Sequence, residues 1–260
     1  MPELPEIESY RAAAQAALGR PIISVTSPDA WFLKGGVTGK DLERALLGRT
    51  FVSARRIGKL LLLDVDRGPT LGIRFGMTGS LIVDGVAAIE RLRYSSARPD
   101  PAYDRWSAGF ADGGSLVVRD PRRLGGVTLD PDVSRLGPDA ATITLPELGA
   151  ALEGSTTALK ARLLDQSRVA GIGNLIADEV LWRAGLSPER PAGSLTAAEA
   201  RRLHRHLVST LHRLMERGGS HLGDLVDERH PGGRCPRDGA ALTRSVVGGR
   251  TTWWCPRHQR

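Results

Sequence analysis

Between residues 131 and 147 the hydrophobic patterning of this 260-residue chain changes period, and that change limits the folds open to it. Upstream, short apolar runs fall at 21–27, 50–57, 59–66, 70–75, 80–84, 105–111, 115–119 and 126–129, punctuated by Gly58, Gly68, Asp84-Gly85 and Asp112-Gly113. Runs of that length bounded by turn residues read as antiparallel strands, so a sandwich or barrel is expected, preceded by a helix over 4–18 that Pro5, Glu6 and Glu8 favour at its start. Downstream, 157–166 and 174–184 are amphipathic, and 197–216 opens on Thr196 and Glu199 with Leu203, Leu207, Leu211 and Leu214 along one face. That is helical spacing behind a capping box. The stretch between, LDPDVSRLGPD, has the Pro, Asp and Gly content of a linker. The expected class is therefore α+β and multidomain, with a β domain over 1–130, a linker over 131–147, a helical domain over 148–230 and a tail over 231–260.

Charge narrows the partners. The chain holds 36 basic against 29 acidic residues, and of the 36 only four are lysines, the other 32 being arginines. Guanidinium groups suit bidentate contact with phosphate, although a genome-wide arginine bias would give the same count. Residues 231–260 carry six arginines and one aspartate, which marks the tail as a nucleic-acid contact element. With 41% hydrophobic and 25% charged residues, wholesale disorder is excluded, and no run approaches the roughly 18 apolar residues of a membrane span. The N-terminus MPELPEIES lacks a basic and apolar leader, so a cytoplasmic, nucleoid-associated location is expected.

Three constellations carry chemistry. In Val169-Ala-Gly-Ile-Gly-Asn174, Gly171 and Gly173 could let backbone approach a phosphate at the entry of the next helix, or could simply make a tight helix–helix turn. At the N-terminus, removal of Met1 would leave Pro2 as a free secondary amine beside Glu3 and near Glu6. Such an amine titrates near 8 and can attack an aldehyde carbon, while the bland alternative is that these residues only begin a helix. In the tail, Cys235-x2-Asp238 and Cys255-x2-His258 flank a hairpin turning at Gly248-Gly249, the spacing of a zinc ribbon. Aspartate is a less common structural ligand, so a site completed by water or a metal-free finger stays open, and His221 and His230 are substitute ligands or plain surface histidines.

In order along the chain, PELPEIE, RRIGKLLLL around Lys59, GMTGSL at 76–81, DPRRLG at 120–125, LGPD, the stretch from ALKARLL through SRVAGIGNLIADEV, and the terminal GGRTT resemble the formamidopyrimidine-DNA glycosylase and endonuclease VIII family of base-excision repair enzymes. The resemblance implies an N-terminal β-sandwich, a helix-two-turns-helix domain and a β-hairpin zinc finger, gripping damaged double-stranded DNA in a cleft, with a monomer expected. It also implies a bifunctional glycosylase and AP lyase. Pro2 would attack C1′ of the lesion sugar, Glu3 would act as general acid and base, Glu6 would support the pocket, and Lys59 would contact the adjacent phosphate. Lys160, Asn174 and Arg250 would grip the backbone, and Met77, Arg122 and Leu124 would fill the gap left by a flipped base. Zn2+ would be held by Cys235, Asp238, Cys255 and His258.

Departures from the family pattern qualify these expectations. Two cysteine positions of the finger hold Asp238 and His258, Arg74 stands where histidine is common, and Leu124 replaces an aromatic. The segment 218–235 is short where 8-oxoguanine-specific members carry a loop over the flipped base. The rival reading from another class is a catalytically silent protein that binds damaged or abasic DNA.

Overall fold

The computed structural model describes residues 2–89 and 100–260, which fall into two compact units. The first comprises Pro2 and Glu6–Val133, and the second Glu3–Pro5 and Ser134–Arg260.

The first unit contains most of helix α1 (Leu4–Ala14), then β1 (Ile22–Thr26), α2 (Gly39–Leu46), β2 (Phe51–Ile57), β3 (Leu60–Val65), β4 (Thr70–Arg74), β5 (Ser80–Val83), β6 (Val86–Ala87), β7 (Asp104–Phe110), β8 (Ser115–Arg119) and β9 (Gly126–Leu129). The strands form two antiparallel sheets, ordered β1-β7-β8-β5-β6 and β2-β3-β4-β9. Alternation aims Trp106, Ala108 and Phe110 of β7 and Leu116 and Val118 of β8 inward. There they join Leu61 and Leu63 of β3, Leu71 and Ile73 of β4, and Ile7, Tyr10 and Ala14 of α1 in one core. This is a β-sandwich with an N-terminal helix, and each fully buried leucine or phenylalanine adds about 1.5–3 kcal/mol to it.

The second unit is helical, with α3 (Leu145–Leu152), α4 (Leu159–Leu164), α5 (Asn174–Ala184) and α6 (Ala197–Arg217), followed by a hairpin of β10 (Thr243–Val247) and β11 (Arg250–Trp254). Leu203, Leu207, Leu211 and Leu214 of α6 are fully buried with Leu148, Leu159, Leu163, Ile176 and Leu181 in its core. Leu4 belongs to this cluster too, which anchors the residues beside it. Trp182, Leu225, Cys235 and Cys255 make a smaller cluster under the hairpin. Among the described residues no helix is long and apolar enough to cross a membrane.

The structure departs from the sequence reading in its short helices. The first helix ends at Ala14 and finishes as a 3-10 turn over Gln15–Ala17. Helix α2 was not expected, and α3 starts at Leu145, inside the stretch that reads as linker. Both have eight residues and complete capping boxes, Thr38 with Asp41 and Thr144 with Glu147. Eight residues give two turns, too few for a hydrophobic period to stand out.

Candidate active site and nucleic-acid interface

In the first unit Pro2 is buried and lines a pocket of about 190 Å3 with Ile7, Lys59, Arg74, Phe75 and Leu124. Lys59 is presented by the two-residue turn joining β2 to β3, in which Gly58 takes φ +55° and Ile57 pairs with Leu60. Glu6 lies in the first turn of α1 and is 2% exposed. Tyr10, one helical turn on, donates its hydroxyl to the Gly79 carbonyl at 3.0 Å, and burial with the neighbouring Glu6 charge keeps that phenol protonated well above its usual range.

Two loops carry Met77, Arg122 and Leu124, and Asp120 binds them together. Its fully buried carboxylate accepts from Thr78 Oγ1 at 2.6 Å and from the backbone N–H groups of Arg122 and Gly125 at 3.2 and 2.8 Å. Gly76 closes the contact from the other side: with φ +56°, a Cβ there would lie 2.4 Å from the Leu124 carbonyl carbon. Arg123 forks onto Asp29 at 2.6 and 2.7 Å. So pinned, the loops leave Arg122 exposed, Leu124 51% exposed and Met77 half-buried. An exposed apolar side chain on a rigid loop is suited to wedging between bases.

In the second unit the N-terminus of α5 is capped from 170 residues away. Gly173 at the cap position offers no side chain, and Glu3 takes its place: its carboxylate oxygens accept the N–H groups of Leu175 at 2.9 Å and Ile176 at 3.1 Å. Leu4 N donates to the Gly171 carbonyl at 3.3 Å, and Gly171 N donates to Gln166 Oε1 at 3.0 Å. Both glycines are buried. Both glycines thus serve a tight connection between helices, and the anion seated at this helix terminus within the protein is its own Glu3.

Asn174, the first residue of α5, donates through Nδ2 to the Thr251 carbonyl of β11 at 3.2 Å. Lys160 from α4 reaches the same strand, donating to Thr252 Oγ1 at 2.8 Å and the Thr251 carbonyl at 3.3 Å. Its ammonium pairs with Asp178 at 2.7 Å, and Arg229 adds a second cation on Asp178 at 2.8 Å. Lys160 and Asp178 side chains are 0% exposed, and burial pulls the Lys160 ammonium below its usual range against the pull of Asp178. Within the protein the Lys160 charge is enclosed by Asp178, Thr252 and the Thr251 carbonyl. Arg250 stays exposed beside the Gly248-Gly249 turn, where both glycines take positive φ, the requirement of a type I′ hairpin.

The donor atoms of Cys235, Asp238, Cys255 and His258 all lie within 4.8 Å of one another, two of these residues buried and two half-buried. His258 Nδ1 faces Asp238 Oδ2 at 3.1 Å while its Nε2 donates to the Trp182 carbonyl at 3.2 Å. The Trp182 indole N–H in turn donates to Cys235 Sγ at 3.2 Å. Two sulfurs, a carboxylate and an imidazole nitrogen in that space fit a tetrahedral cation site, with Trp182 orienting two of the donors.

Family models match along most of the chain: the formamidopyrimidine-DNA glycosylase N-terminal domain at residues 1–127 and the formamidopyrimidine-DNA glycosylase H2TH domain at 136–225. The chain belongs to the formamidopyrimidine-DNA glycosylase family. Among curated members it is 32% identical to the formamidopyrimidine-DNA glycosylase of Roseiflexus sp., covering 100% of both chains, and 35% identical to that of Thermus thermophilus, covering 98% of this chain and 97% of the relative. Among solved structures it is similar to a Lactococcus lactis Fpg bound to abasic-site DNA, with TM-score 0.84, 26% identity and 99% of each chain covered. It is also similar to the wild-type Lactococcus lactis Fpg in complex with DNA containing N7-benzyl-Fapy-dG, with TM-score 0.83, 26% identity and 100% of each chain covered.

Within the family frame, the sequence reading missed Thr78 and Asp120, which fix the loops bearing Met77, Arg122 and Leu124, and Trp182 and Asp178, which sit beneath the hairpin. Thr78 and Asp120 lie inside the GMTGSL and DPRRLG motifs, so a signal was present. Asp178 and Trp182 had none beyond their place in an apolar helix.

Proposed function

We propose that the protein is a bifunctional DNA glycosylase and AP lyase acting on damaged bases in duplex DNA. The observation that carries this is Pro2 buried at the head of a pocket with Lys59 and the exposed Leu124, followed in sequence by an acid bound at a helix N-terminus. Once Met1 is removed, the Pro2 nitrogen is a secondary amine whose lone pair forms a bond to C1′ as the bond from C1′ to the base breaks. Ring opening gives an iminium ion at C1′. That cation acidifies the C2′ proton, whose loss expels the 3′ phosphate, and a further elimination expels the 5′ phosphate.

Glu3 serves the sugar oxygen and the departing protons. Its carboxylate caps α5 through Leu175 N and Ile176 N, and the same group would carry the proton transfer. The small-residue position at Gly173 keeps that carboxylate in place. Glu6 supports the same pocket, and Lys59 meets the phosphate next to the lesion. Asn174, Arg250 and Arg122 hold backbone phosphates, Met77, Arg122 and Leu124 occupy the vacated stack, and Lys160 acts as a positioning residue that fixes the strand bearing Arg250.

The finger residues Cys235, Asp238, Cys255 and His258 would hold Zn2+, which when bound cross-links the two knuckles and so stiffens the hairpin. The segment between Gly218 and Cys235 is tied down at Leu225, whose N–H donates to Glu179 at 2.8 Å, and at Arg229 on Asp178. Such a segment is not built to fold over a base, which favours ring-opened purines, oxidised pyrimidines or bulkier lesions over 8-oxoguanine.

The test is borohydride trapping on duplexes carrying an abasic site, 8-oxoguanine, a formamidopyrimidine or an oxidised pyrimidine. A covalent adduct that disappears in Pro2→Gly, with DNA binding kept, is expected. No adduct on any duplex while binding persists would make the protein a silent lesion binder instead.

A further inference from the structure

At the C-terminal end of α5 the second unit opens into a cavity of about 550 Å3 with cationic walls, lined by Arg183, Arg202, Arg205, His206 and Arg237. The outer sides of Asp238 and His258 complete it. Two of the four guanidiniums are held in place by the protein. Arg183 donates to Glu179 at 2.6 Å and pairs with Asp224, and Arg202 Nε donates to the Ala184 carbonyl at 2.7 Å. The negative end of the α5 dipole accounts for these two. It does not account for Arg205, on α6, or Arg237, in the turn between Cys235 and Asp238. Both are exposed, and neither has a hydrogen bond or ion pair among the described residues. Partial burial, and then the positive charges of Arg205, Arg183, Arg202 and Arg237, push His206 toward its neutral form, as expected where positive potential is left uncompensated.

The volume lies within the usual range of small-ligand sites, and two preorganised and two available guanidinium forks match the oxygens of phosphate groups. One carboxylate, Asp238, faces the cavity, and it is engaged with Cys255 and His258. We propose that this cavity is a second phosphate-binding site. It lies about 15 Å along α5 from Asn174, by the helical rise, and so is separate from the surface proposed to hold the lesion strand. The phosphates come either from a free phosphate ester or from the backbone of a second DNA segment. The inference stands whether or not the lyase chemistry does.

Calorimetric titration of the full chain with inorganic pyrophosphate, before and after saturation with an abasic-analogue duplex, tests it. Pyrophosphate should bind in both cases, and Arg205→Ala/Arg237→Ala should weaken it at least tenfold while metal content, melting temperature and trapping on abasic DNA stay unchanged. If metal content falls, Arg205→Ala alone, which lies on α6 outside the finger, gives the same reading. Binding of an undamaged second duplex to the saturated complex, lost in the double variant, would name DNA as the source. Pyrophosphate and second duplex both failing to bind, or both binding the variant as tightly as the parent chain, would overturn the proposal.

Discussion

The carboxylate of Glu3 occupies the space that a side chain at position 173 would need: a Cβ on Gly173 would lie 2.2 Å from Glu3 Cδ. The same carboxylate supplies the cap that Gly173 cannot, through Leu175 N and Ile176 N. A residue proposed for proton transfer is thereby also a structural part of α5.

Gly173→Ala should therefore act as an indirect Glu3 mutation. Expelling the carboxylate leaves two buried N–H groups unpaired, each costing about 1–3 kcal/mol. We expect a lowered melting temperature together with loss of base excision, and Glu3→Ala should match it. Glu3→Gln keeps one acceptor and should be less destabilised but equally inactive. Full excision by Gly173→Ala, measured on a formamidopyrimidine duplex, would contradict the assignment.

Lys160 and Arg250 should differ in how salt affects their variants. Arg250→Ala removes a phosphate contact and should lower the slope of log affinity against log salt by about one. Lys160→Met leaves Asp178 with Arg229 as its one cation, and breaking a buried pair costs about 3–5 kcal/mol. It should destabilise the protein and weaken binding with the salt slope unchanged. A slope reduced as in Arg250→Ala would return Lys160 to direct contact.

Trp182→Phe keeps an aromatic ring in the cluster with Leu225, Cys235 and Cys255 but deletes the N–H donated to Cys235. Loss of such an outer hydrogen bond lowers metal affinity about 10–100-fold. Competition with a chromophoric chelator would measure this. Unchanged affinity would show that the indole only fills space.

Acid should loosen the start of α6. The Arg190 guanidinium, with the Thr196 N–H, holds Glu199 at about 2, below its ordinary 4.5. Because the folded value is the lower one, this contribution is complete above about 4.5 and is lost as pH falls toward 2. Denaturant melts across that window should show a decline that Glu199→Gln reduces. The variant should also be less stable at neutral pH.

Much of this was legible in the sequence because the signals were local. Glycine-punctuated runs marked eight strands, each found within a residue or two of its place, and the pattern over 174–184 matches α5. The paired x2 spacings brought Cys235, Asp238, Cys255 and His258 together. What stayed hidden was long-range. A lysine on an amphipathic helix reads as a surface charge unless its partner on the next helix, here Asp178, is known. Gly173 reads as a phosphate cradle or a tight turn, and nothing local shows that the residue packed against it comes from the other end of the chain.

Helix α5 has eleven residues, and more than half of them hold a distant partner: Glu3 through Leu175 and Ile176, Thr251 through Asn174, Lys160 through Asp178, Leu225 through Glu179, and Cys235 and His258 through Trp182. Inserting one residue in its middle would turn everything beyond by about 100° and advance it about 1.5 Å. The acid would keep its cap while the finger lost its mooring, so the helix can bear exchange of side chains far better than a change of length, which is fixed by the parts it must hold in phase.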